Sequence, residues 1–201
     1  EGLQRYGFLG ALKESLGSAW KAIALIWLVM FLRAVVGQSF LTFMPVLYVR
    51  DGFSVVSAGA IYAIFLVSGT VSGLLSGYLA DRAGFKPVFM FSFLFMAPAL
   101  WLLLQLNGNW VYLGAALAGG FVLAPLPLGV TMAQTLAPKG RSMVASLMMG
   151  FAYGLGGAIT PIVGKMADGL TIRPVLTFIA CIPLLTIPII AFFPKTRSND
   201  Q

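Results

Sequence analysis

Six apolar runs, each long enough to cross a bilayer, leave this chain few folds to choose from. They cover about 21–48, 55–80, 87–106, 110–136, 142–166 and 174–193, and roughly 20 apolar residues make a spanning helix. The strand alternative is weak, because the runs are too long and lack period-two alternation. The joining segments are short and carry turn chemistry: Asp51-Gly52, Asn107-Gly108-Asn109 and Pro138-Lys139-Gly140. Ser54 and Ser142 stand where N-caps of the second and fifth runs belong. Composition agrees: the 201 residues are 59% hydrophobic and only 9% charged, against about 25% charged in a soluble domain. The expected fold is an all-α membrane protein with a six-helix bundle at 21–193.

The net charge of +7 would suggest a nucleic-acid partner in a soluble protein. Here the bases sit between apolar runs, so they report topology instead, and no nucleic acid is expected. One side collects nine bases: Arg5, Lys13, Lys21, Arg82, Lys86, Lys139, Arg141, Lys195 and Arg197. The other collects three, Arg50, Lys165 and Arg173, and Arg33 lies within a span. This bias places both termini in the cytoplasm. Residues 1–20 form a cytoplasmic linker or an interfacial amphipathic helix with Leu9, Leu12, Leu16 and Trp20 on one face, and 194–201 a cytoplasmic tail. The first residue is Glu1, not Met, which suggests part of a longer polypeptide. The one cysteine, Cys181, has no intrachain partner and there is no histidine.

Two charged stretches punctuate the chain: GYLADRAGFKPV at 77–88 and GKMADGLTIRPV at 164–175. At an offset of 87, Gly77 falls on Gly164, Ala80 on Ala167, Asp81 on Asp168, Pro87 on Pro174 and Val88 on Val175, while Lys86 falls on Arg173. Upstream, Gly69 falls on Gly156. The match lies between spans two and three and again between spans five and six. The chain thus reads as two three-span repeats, 21–106 and 110–193. An odd number of spans makes the second repeat enter from the opposite side, the inverted arrangement of secondary transporters.

The residues Gly77 to Lys86, GYLADRAGFK, resemble the G-x-L-x-D-R-x-G-R-K signature of the major facilitator superfamily, with Phe85 departing where a base is common. FLRAVVGQSFLTFMPVLYV (31–49) and VTMAQTLAPKGRSMVASLMMGFAYGLGG (130–157) resemble the C-terminal half of the fosmidomycin-resistance type of drug exporter. The resemblance implies half of a twelve-helix transporter in the cell (inner) membrane, paired with an N-terminal half around a central cavity. It also implies a conformational latch at Gly77, Asp81, Arg82, Gly84 and Lys86, with Arg141 as a further local base. Asp81, just past span two, is unfavourable with that helix's own dipole and gains by facing a base or another helix's N-terminus; Arg82, Lys86 and Arg141 are the local choices. Gly84 suits a tight turn. The alternative is that these charges only fix loop topology.

Small residues four apart suit close helix packing in lipid: Gly69, Gly73 and Gly77 in span two; Gly150, Gly154, Gly156, Gly157 and Gly164 in span five. Pro161 should kink span five. The sharpest single residue is Arg33, about 12 residues or roughly 18 Å into span one, where a charge costs at least ~2.5 kcal/mol. The six acids, Glu1, Glu14, Asp51, Asp81, Asp168 and Asp200, all lie at span ends or outside. Its counter-group must therefore be a carboxylate of another half, an anionic substrate, backbone carbonyls or water, and Arg33 is expected to face the cavity. Gln38, Tyr62, Thr131, Gln134 and Tyr153 are further cavity candidates, with ordinary packing as the alternative for each.

The function these readings point to is a secondary active, proton-coupled exporter of drugs or small, including anionic, metabolites. The alternatives are a half-length transporter acting as a dimer with a second copy, and a non-transporting membrane module. An enzyme is not expected, since acid–base or nucleophilic chemistry has no visible apparatus. No metal-ligand cluster, phosphate loop or cofactor site is expected either. With no titratable group at mid-depth, the proton carrier of such an exporter must lie mostly in the other half.

Overall fold

The computed structural model describes residues 19–193, so the leading and trailing segments read as an interfacial helix and a tail lie outside it, except at Trp20, where span one begins. Six helical spans result: Trp20–Arg50, Val55–Ala83, Phe85–Gln105, Trp110–Leu136, Pro138–Leu170 and Ile172–Ala191. Among the described residues there is no strand.

Local chemistry sets most of the ends. The Ser54 hydroxyl accepts the Ser57 amide at 3.1 Å and caps span two, one of the exposed amides that a helix start leaves over. Ser142 is not the cap of span five. Pro138 begins a 3₁₀ turn, Pro138–Gly140, and the helix follows directly from Arg141, so Ser142 is already inside it. Span four is interrupted at Ala124, ahead of Pro125 and Pro127, which supply no amide to the ladder. Span six is interrupted likewise at Ala180 and Cys181, ahead of Pro183.

Span five departs from α geometry at a place that no motif marks. Ser146–Phe151 is a π-helical turn, and the helix then runs unbroken through Pro161 to Leu170. Pro161 lies inside this helix, and the irregularity in hydrogen bonding falls ten residues upstream of it.

The duplicated stretches are not loops. Helix continues to Ala83 and to Leu170, and restarts at Phe85 and Ile172. A single residue turns the chain each time: Gly84 with φ 88°, ψ 163° and Thr171 with φ 73°, ψ 160°. Packing repeats in the same way. Span two lies mainly against span four and span five against span one; span three lies against four and span six against one, with six also meeting three. The two three-span units thus pack alike, as the expected pair of inverted repeats would. Spans two and five, in matching positions, bury only 22% of their apolar windows inside the bundle, against 61% for span one.

Candidate functional site

Arg33 is 1% exposed at the centre of the bundle. Nη1 donates to the Val122 carbonyl at 2.8 Å and Nη2 to the Tyr153 hydroxyl at 2.6 Å. The guanidinium carbon lies 5.1 Å from the Tyr153 ring centroid, within reach of the ring's attraction for a cation. Nε is buried without a partner. The expectation that the side chain faces an open cavity is corrected: it points inward, because a carbonyl, a hydroxyl and an aromatic face satisfy most of its needs without water. No acid among the described residues approaches it; the one ion pair there is Arg173 to Asp51, 2.5 Å, at a span end.

Three elements build this site. Val122 sits two residues before the break in span four. Tyr153 sits two residues after the π turn of span five. Gly156, one turn further on, lets span five close on span one: a Cβ there would lie 2.8 Å from the Ala34 Cβ and 3.0 Å from the Ala34 carbonyl carbon. Beside the site, Trp27 stacks between Phe31 at 5.6 Å and Phe151 of the π turn at 5.8 Å, its indole N–H buried and unpartnered. Sequence reasoning missed Trp27, Val122 and the π turn; a backbone acceptor carries no side-chain signal.

Of the cavity candidates, only Arg33 and Tyr153 come together. Gln38 is half-buried. Tyr62 lines a separate apolar groove of about 700 Å³ between spans one and two, with Pro45, Val49 and Arg50. The exposed Thr131 returns its hydroxyl to the Pro127 carbonyl at 2.9 Å. Gln134 Nε2 donates to the Arg141 carbonyl at 3.4 Å, tying spans four and five.

The signature residues are partly spent within the bundle. Lys86 Nζ donates to the Ala191 carbonyl and, at 3.3 Å, to that of Phe193, capping the end of span six as a base should. Arg82 lies over the Tyr78 ring at 4.5 Å. Asp81 is exposed in the last turn of span two rather than past it. Among the described residues it pairs with none of the local bases: Arg82 and Lys86 are engaged elsewhere.

The small-residue rows split as well. Gly69 leaves no room for a Cβ against the Leu123 side chain, and a Cβ on Gly73 would touch Pro127 at 3.6 Å, so both face span four. Gly164 faces Phe43 at 3.5 Å, whereas Gly77, Gly150, Gly154 and Gly157 meet nothing within 4 Å. Gly119, missed in the sequence, matters more than these: a Cβ there would run into the Phe65 carbonyl oxygen. Along the same contact, Ser72 and Ser76 donate to the Gly120 and Ala124 carbonyls at 2.7 and 2.8 Å, satisfying backbone where span four is broken.

Residues 25–201 match the family model of the Major Facilitator Superfamily. The chain belongs to the major facilitator superfamily. It is 29% identical over 151 residues to the fosmidomycin resistance protein of Escherichia coli (strain K12), covering 75% of this chain and 37% of that protein. It is 31% identical over 143 residues to the uncharacterized MFS-type transporter YfnC of Bacillus subtilis (strain 168), covering 70% of this chain and 35% of that protein. The matched stretch thus spans about a third of each relative. As a major facilitator chain it stands with membrane transporters and not with enzymes.

Proposed function

We propose that this stretch is the C-terminal half of a secondary active transporter that exports drugs or small metabolites, anionic ones included, by alternating access. In this reading an N-terminal six-helix half completes the cavity and protons drive transport. The protein lies in the cell (inner) membrane with both termini cytoplasmic. The observation that carries the proposal is Arg33: a guanidinium near mid-membrane, held by a carbonyl and a tyrosine with no acid of its own among the described residues. So costly a residue is retained for work. Tyr153, itself half-buried, takes the hydrogen bond of the buried guanidinium, so in this reading Arg33 acts by positioning Tyr153 toward substrate or the other half.

Two further observations support the reading. The name of the Escherichia coli relative supports drug export. Asp81, exposed at the end of span two and without a partner among the described residues, is left for a base or a helix N-terminus of the other half, as a latch requires. The proton carrier belongs to that half too, since no acid here sits at mid-depth.

The test is uptake into proteoliposomes by the whole reading frame, with and without a pH gradient, over a panel including phosphonates. Arg33→Ala abolishing uptake while expression and melting hold would bear the proposal out. Unchanged uptake would defeat it.

A further inference from the structure

We propose that a crevice between spans two, three and four holds one acyl chain of an anionic phospholipid, with its phosphate at Arg82. The crevice has a volume of about 450 Å³, and its walls include Leu75, Leu79, Phe91 and Phe121. No charged side chain lines it. Ser68, Ser72 and Ser76 do, but each hydroxyl is already donated to a carbonyl, at 3.1, 2.7 and 2.8 Å. Only Ser92 has a hydroxyl proton left to donate, the other three keep acceptor lone pairs alone, and the remaining walls are apolar, so the occupant is apolar.

Its length selects a lipid tail. The wall of span two runs from Ser68 to Leu79, about 16 Å at 1.5 Å per residue. That is half of a hydrocarbon core of ~30 Å, the depth of one leaflet. The rim argues against a partner helix. Close helix approach in lipid favours small residues, whereas Leu75 and Phe91 project here 57% and 56% exposed. Gly59, Gly77, Gly150, Gly154 and Gly157, open glycines of spans two and five, do not line the crevice.

Charge selects the headgroup. Arg82 extends the row Ser72, Leu75, Leu79 by one helical turn, at the end of the crevice nearest the span two–three turn. It is exposed, steadied over Tyr78, and makes no ion pair among the described residues. Asp81 projects about 100° away around the helix, and Lys86 is engaged with span six. A guanidinium so placed is a phosphate ligand.

The test uses the whole reading frame in liposomes, with Leu117→Trp on the rim as fluorescent reporter, read against the same protein without it. Phosphatidylglycerol or phosphatidylcholine with brominated chains is titrated as quencher. Brominated phosphatidylglycerol is expected to quench at a mole fraction about fivefold below that needed for phosphatidylcholine. Arg82→Gln should erase the difference, and Ala116→Phe, which fills the crevice, should weaken quenching by both. Equal quenching by the two lipids, a preference that survives Arg82→Gln, or no quenching by either (a protein surface covers the crevice) would each overturn the proposal. If Ala116→Phe does not fold, the Arg82→Gln comparison decides alone.

Discussion

Gly84 and Thr171 stand 87 positions apart and hold nearly one backbone conformation, φ 88°, ψ 163° and φ 73°, ψ 160°. Each is the lone non-helical residue between two spans. The second copy therefore takes the backbone geometry of the first without its glycine.

That conformation is open almost only to glycine and costs other residues of order 1–3 kcal/mol. Thr171→Gly should stabilise the protein by about 1 kcal/mol after allowing for the looser unfolded chain, read as a higher melting temperature in detergent. Gly84→Thr should lower it. Equal melting for Thr171→Gly and wild type would mean that the strain is relieved elsewhere.

Gly156 and Gly154 separate packing from open surface. A Cβ on Gly156 presses on the Ala34 backbone, while one on Gly154 meets nothing within 4 Å. Gly156→Val should destabilise by about 1–3 kcal/mol as overpacking does. Gly154→Val should melt like wild type within ~0.5 kcal/mol. Thermal melts of the two variants side by side check the ordering.

Tyr153→Phe should hurt stability more than Arg33→Met. The first keeps the ring but strands Nη2, a loss of about 1–3 kcal/mol. The second removes the buried charge, and such replacements are often neutral or stabilising. The double variant should then melt no lower than Arg33→Met alone, a coupling that a double-mutant cycle reads directly.

Asp51 and Arg173 tie the ends of spans one and six with side chains 30% and 34% exposed. So accessible a pair contributes at most about 1 kcal/mol and is screened by salt. Asp51→Asn should cost a few tenths of a kcal/mol in dilute buffer, and the cost should vanish at 1 M salt. A loss that persists at high salt would assign the residue a packing role instead.

The fold was largely legible because its determinants are periodic. Apolar run length marked six spans, and the offset between Asp81 and Asp168 marked two units. What escaped reading was contact between distant elements. Arg33 stood out by its charge, yet nothing in the sequence says that its acceptor is the backbone of Val122. The row Gly69, Gly73, Gly77 looked like one surface, but Gly73 faces span four and Gly77 open space. Gly119 carried no motif, and its need for a bare Cα exists only because Phe65 is opposite. The π turn has little local signature: Gly150 is the one poor helix former in Ser146–Phe151, and a lone glycine does not specify a surplus residue.

That surplus residue sets the phase of span five. Val144, Met148, Ala152 and Gly156 are all buried, at a strict spacing of four. In an uninterrupted α-helix each such step would drift by about 40° (four times 100° less a full circle), and the fourth member would have wandered a third of the way round. The wider turn cancels the drift. It works as a vernier: without it, Tyr153 and Gly156 would rotate off span one together, and the guanidinium would lose its hydroxyl and its ring in a single twist.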